Sequence, residues 1–225
     1  MAEAASASPA RQLYAEGYEP PDGVLSRGVM GMYVFIASEI MFFGTLFATY
    51  YYLLASRYPN WPPSPEHGFE LVALWPIPIL NTVFLLSSSV TFVLGENFLL
   101  SGRRRQFLAM LTITIVLGAL FEVGQATEYI KHDFIHTYKS TEFSSAFYTM
   151  TGFHGAHVAG GIVLMGVLLY RALRHGHFTP LHHVGVRAVG IYWHFVDVVW
   201  LFLLSNLYFL PDCVLRSSPC LTGGG

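Results

Sequence analysis

Tyr192-Trp193-His194-Phe195-Val196-Asp197-Val198-Val199-Trp200-Leu201-Phe202 is apolar and aromatic enough to enter a membrane, yet it carries an imidazole and a carboxylate three residues apart. An ionisable side chain at the centre of a bilayer costs about 2.5–3.5 kcal/mol on insertion scales. A chain keeps such groups in hydrocarbon only where they pair, solvate one another or do chemistry. The stretch predicts a membrane protein with polar machinery inside its helices.

The composition around it agrees. Of 225 residues, 53% are hydrophobic and 12% are charged, against about 25% charged in an average soluble domain. The net charge of −2 is too small to bear on a nucleic-acid partner, and no basic tract interleaved with aromatics points to one. Residues 1–26 hold no apolar run of the kind a signal peptide needs and read as a surface arm. A helical crossing takes about 20 apolar residues. Five segments qualify, at about 28–55, 72–100, 106–130, 142–172 and 186–210. The expected organisation is an arm (1–26), an all-α polytopic bundle of five transmembrane helices (27–212) and a tail (213–225).

Basic residues orient such a bundle. Arg11, Arg27, Arg103, Arg104, Arg105, Arg171, Arg174 and Arg187 fall on one side; Arg57, Lys131, Lys139 and Arg216 fall on the other. Eight against four predicts a cytoplasmic N-terminus and a C-terminus outside. Tyr50, Tyr51, Tyr52, Trp61 and Trp75 would then gather at the outer boundary, where amphipathic rings settle. Gly152, Ala156 and Gly160 recur every four residues and predict a close helix–helix seam. Neither an inverted repeat nor a pair of broken helices is evident, which weakens a transporter reading.

The polar residues inside the spans are the functional candidates. Glu39 lies about 16 Å along the first span from Gly28 by helical rise. Two readings stand for it: a proton-handling group or pathway gate, and a carboxyl that hydrogen-bonds a neighbouring helix. His154 and His157 are three apart on the fourth span, as His194 and Asp197 are on the fifth. Imidazoles and a carboxylate on facing helices can bind a metal. However, no Glu-x-x-His pair recurs and no His-Glu-x-x-His occurs, so an interhelical hydrogen-bond network is the preferred reading. Glu122 is expected to be buried and paired, and Glu128 to be solvated near the outer surface. His175, His177, His182 and His183 crowd a loop beside Arg171 and Arg174. Arg171 suits contact with anionic lipid headgroups. Cys213 and Cys220, outside the cytoplasm in this orientation, are predicted to form a disulfide in the tail.

The Tyr192–Phe202 run, Gly152-Phe153-His154-Gly155 with His157, and Ser38-Glu39 followed by Phe42-Phe43 together resemble subunit III of haem–copper cytochrome c oxidases. Leu80-Asn81-Thr82 and Gln125-Ala126-Thr127-Glu128-Tyr129 extend the resemblance, in order, over about residues 28–210. It implies a chain with no catalytic residue, haem, copper or other metal of its own. Such a chain would pack mainly on subunit I, which reduces dioxygen and pumps protons, with subunit II and a small fourth subunit in the same complex. It would support proton uptake and catalytic-site stability, and hold structural phospholipids. The resemblance places the family's carbodiimide-reactive glutamate at Glu39 and its lipid-phosphate arginine at Arg171. It also implies two departures. The seven-helix form has two further N-terminal helices where this chain has an arm, and five-helix forms occur among bacterial members, which points to a bacterial cytoplasmic membrane. A position that is often acidic before the last helix is Arg187. Alternatives are the same fold in a quinol oxidase or nitric oxide reductase, and, from other classes, a stand-alone proton conductor or an intramembrane metalloenzyme.

Overall fold

The computed structural model describes residues 26–57, 61, 76–131, 141–175, 178 and 183–215, the side chains of 175 and 212–215 excepted. Within them the chain forms α1 (Arg27–Arg57), α2 (Ile77–Leu100), α3 (Arg104–Lys131), α4 (Glu142–His175) and α5 (Val184–Leu203). A π-helical segment, Leu204–Leu215, continues α5. All five spans are long and apolar enough to cross a membrane, and no strand occurs among the described residues. The protein is an all-α polytopic membrane bundle.

Local chemistry sets the helix ends. Ser26 accepts the Val29 N–H on its hydroxyl and the Met30 N–H on its carbonyl, capping α1 as a serine can. Pro76 and Pro78 open α2, where a missing N–H leaves no intrahelical bond unmade. At the far end of α2, Gly102 takes a left-handed φ of 71°. The Gly102 N–H reaches Leu99 O, and the Arg103 N–H reaches Phe98 O. That Schellman closure lets α3 begin two residues later. Thr141 and Ser144 cap α4 reciprocally, each backbone N–H bonding the other's hydroxyl. The fifth span differs from expectation at its end: helical backbone runs on to residue 215 as a π segment. Pro211 lies inside it and has no N–H to give an α ladder.

α2 and α3 pack most extensively, α3 against α4, and α4 against α5; α5 also meets α1 and α2. This makes α5 the hub, and half of its most apolar window is buried, against 17% for α1. Trp193 and Trp200 of α5 are fully enclosed. By contrast α1 leans on α5 and α4 alone among the larger contacts and leaves Val34, Ile40, Met41 and Tyr52 exposed.

The small-residue seam is not where the Gly152, Ala156 and Gly160 spacing put it. Ala156 is exposed. The buried line on α4 runs Thr151, His154, Val158, Gly161, Met165, Leu168 and Ala172, alternating steps of three and four. Gly161 is the point of closest approach: a Cβ there would stand 2.6 Å from the Trp193 ring. The aromatic boundary is also partly redistributed. Tyr51 and Tyr52 are exposed, but Tyr50 and Trp61 pack inward with Phe143. Residues 1–25 of the expected arm, residues 216–225 of the expected tail, Trp75 and the Cys213 side chain lie outside the described residues, and with them the expected Cys213–Cys220 pairing.

Candidate functional site

Three polar groups occupy the interior, and each is assembled from different helices. The first joins α1 to α4. His157 Nε2 lies 3.0 Å from Glu39 Oε2, and His157 Nδ1 lies 2.7 Å from the Phe153 carbonyl. A carbonyl only accepts, so Nδ1 carries a proton. A neutral imidazole then presents a bare Nε2 to Glu39, and a proton must lie between that nitrogen and the carboxyl. Whichever atom holds it, the pair has no net charge. This is how a carboxyl and an imidazole can sit together in hydrocarbon at tolerable cost. Phe42 and Phe43 flank the imidazole with centroids at 6.2 and 5.0 Å. Tyr192 of α5 donates to the His157 carbonyl at 2.8 Å. The two side chains are part-buried between α1 and α4, 18% and 17% exposed.

The second group joins α5 to α2. Ser89 donates to Asp197 Oδ2. Its single hydrogen is thereby used, so His194 Nδ1, 3.1 Å from the same oxygen, must be the donor to it. The result is a directed chain from His194 through Ser89 to Asp197. Beside it, Trp193 Nε1 donates to Ser88 Oγ at 2.9 Å, and about two turns further on Trp200 Nε1 donates to Thr82 Oγ1 at 2.9 Å. The hub helix is thus hydrogen-bonded to α2 along its length, with tandem serines as receivers.

The third group lies at the α3–α4 face and under the π segment. Tyr129 and Thr151 share a hydroxyl bond of 2.6 Å, and Tyr208 donates to Glu128 Oε2 at 2.9 Å. Glu128 is 2% exposed, so the expected solvated carboxylate is a core residue: the π segment folds over it and supplies Tyr208. Glu122 faces Gly155, but its Oε1 has no protein partner, contrary to the expected pairing. His154 stacks on Trp200 at 5.2 Å and meets the edge of Phe121 at 5.7 Å. Neither of its ring nitrogens has a protein partner. A buried polar group left unsatisfied costs about 1–3 kcal/mol.

The four residues expected to meet are therefore divided. His157 faces α1, His154 faces α3 and α5, and His194 with Asp197 faces α2. Three residues on a helix span about 60° short of a full turn, enough to aim His154 and His157 at different neighbours of a wedged helix. No three His, Cys, Asp or Glu side chains converge as metal donors among the described residues. Sequence reasoning did not find Ser88, Ser89, Tyr192 or Tyr208 as partners. The Ser87-Ser88-Ser89 run in an apolar helix was the one available signal, since hydroxyls there need acceptors or donors nearby.

At the basic end of the bundle, Arg104 donates to the Ala172 carbonyl at 2.5 Å, closing the last turn of α4. Arg171 is exposed there, its guanidinium 5.9 Å from the Phe178 ring centre. His183 is half-buried; the side chains of His175, His177 and His182 lie outside the described residues.

A family model described as cytochrome c oxidase subunit III matches residues 21–211. Among curated relatives, cytochrome c oxidase subunit 3 of Pelomedusa subrufa is 42% identical over 205 residues, covering 88% of this chain and 75% of that protein. The protein of the same name from Prototheca wickerhamii is 40% identical over 185 residues, 80% of this chain and 68% of its own. That of Sus scrofa is 40% identical over 190 residues, 82% and 70% respectively.

Proposed function

This chain belongs to the cytochrome c oxidase subunit III family, and from that premise we propose that it is the supporting, non-catalytic subunit of a proton-pumping oxidase. Membership makes it a multi-pass membrane subunit of an oxidoreductase complex. The proposal adds its job: to pack on subunit I beside subunit II, sustain proton uptake there and hold phospholipid. The observation that carries it is the Glu39–His157 pair. It is a proton-sharing unit on the packed face of α1, within the membrane span, at the position to which the resemblance assigns the family's reactive carboxyl. Arg171, exposed at the basic end, is the proposed lipid-phosphate contact.

We assign the basic end to the cytoplasmic side, on the distribution of arginines. The proposed membrane is a bacterial cytoplasmic one, on the resemblance of the five spans to bacterial members. The relatives' shared name supports cytochrome c over quinol as the electron donor of the complex. Capture of the chain from mild detergent tests the reading. Haem and copper in larger co-purifying subunits, and oxidation of reduced cytochrome c, are expected. A lone chain without haem would overturn it, and a complex that oxidises only quinol would overturn the donor.

A further inference from the structure

At the end of the bundle away from the arginine-rich turn, α2, α3, α4, α5 and the π segment bring polar side chains into one enclosed region. Asn81 lies against Gly124, its amide oxygen filling the space that a Cβ there would need. Gln125 follows on α3, with its amide nitrogen and oxygen both buried and without a protein hydrogen bond. Glu128 receives Tyr208 on one oxygen, and its other oxygen has no protein partner. Asn81 Nδ2, Glu122 Oε1 and both nitrogens of His154 are likewise buried without a protein partner. Trp200 ties the region together, touching His154 and Tyr208 with its rings and Thr82 with its N–H. Asn81, Gln125, Glu128 and His154 are all less than a twentieth exposed.

These groups mix donors with acceptors, and their buried atoms make no direct hydrogen bond to protein. Lipid tails could not satisfy them. A buried water makes two to four hydrogen bonds and is found where buried polar atoms would otherwise go unpaired. Water bridges also lose little against direct bonds. We propose that this region is an internal water-binding site, in which ordered waters bridge Asn81, Glu122, Gln125, Glu128 and His154. The waters keep two carboxyls solvated inside the bundle and fill the joint between four helices. The site rests on the packing of this chain and is independent of the supporting role proposed above.

The test is a cryo-electron microscopy map of the intact complex in lipid nanodiscs, at a resolution that shows ordered solvent. Expected is discrete solvent density within hydrogen-bond distance of Gln125, Glu128 and His154. Side chains repacked into direct mutual hydrogen bonds, with no density between them, would overturn the proposal, as would continuous acyl density. A second map, of Gln125→Leu, should lose the density next to position 125 and keep the fold. Unchanged density there would remove Gln125 from the site and overturn the bridging arrangement. Should that variant not assemble, the parent map decides alone.

Discussion

At the scale of single residues, Glu39 and His157 hold one proton between them, and that fixes what substitutions do. In Glu39→Gln the amide N–H can donate to the bare Nε2, so the contact across α1 and α4 survives. The complex is expected to assemble with normal haem content and to keep consuming dioxygen at a rate of the same order. Full haem with no turnover would count against a supporting role. Glu39→Leu removes the partner of Nε2 and is expected to cost about 1–3 kcal/mol, read as a lower thermal midpoint for retention of this subunit. Glu39 was legible as a charge in hydrocarbon from the sequence. Its partner was not, because His157 is 118 positions away and nothing in either helix says which neighbour it faces.

Among elements, the hub helix depends on a few close approaches. Gly161 meets the Trp193 ring, and Gly190 meets Phe92, a Cβ at the latter standing 2.7 Å away. Gly166 has nothing within 4 Å of its Cβ position. Gly161→Ala should therefore destabilise by about 1–3 kcal/mol through overpacking, whereas Gly166→Ala should be neutral or mildly stabilising. Thermal unfolding of the solubilised complex distinguishes them, and equal midpoints would refute the α4–α5 contact. Asp197→Ala strips the acceptor from Ser89 and frees the hydroxyl that receives His194 to rotate. It should reduce recovery of the chain in the complex more than Glu39→Gln does. Asp197→Asn keeps a carbonyl acceptor of the same shape and should fall between them. The Gly152, Ala156 and Gly160 spacing was a real pattern at the flank of the buried face: Gly152 and Gly160 meet Tyr129 and Tyr192, while Ala156 is exposed. Small residues at intervals of four mark a stripe, but lipid, a ligand or another subunit can meet that stripe as well as a helix can.

On the scale of the whole molecule, the odd number of spans and the arginine distribution predict termini on opposite sides of the membrane. Single cysteines placed in the arm and at Gly225 of a Cys213→Ser, Cys220→Ser chain should label from opposite faces with an impermeant maleimide. Labelling from one face would break the five-span topology. The sequence by itself determined the all-α class, the five crossings and the list of polar residues that hydrocarbon would penalise. Hydropathy and charge act residue by residue along a chain, so they can be read without knowing any neighbour. Tertiary structure alone decided how those residues are shared out: Glu39 to His157, Asp197 to Ser89, Glu128 to Tyr208, and His154 to an aromatic sandwich. Those pairings follow from which helix faces meet. The reason is steric and collective, since the rotation of each helix is set by large rings finding their places on other helices, Trp193 against Gly118, Gly161 and Ser88, and Trp200 against Thr82, Phe121 and His154.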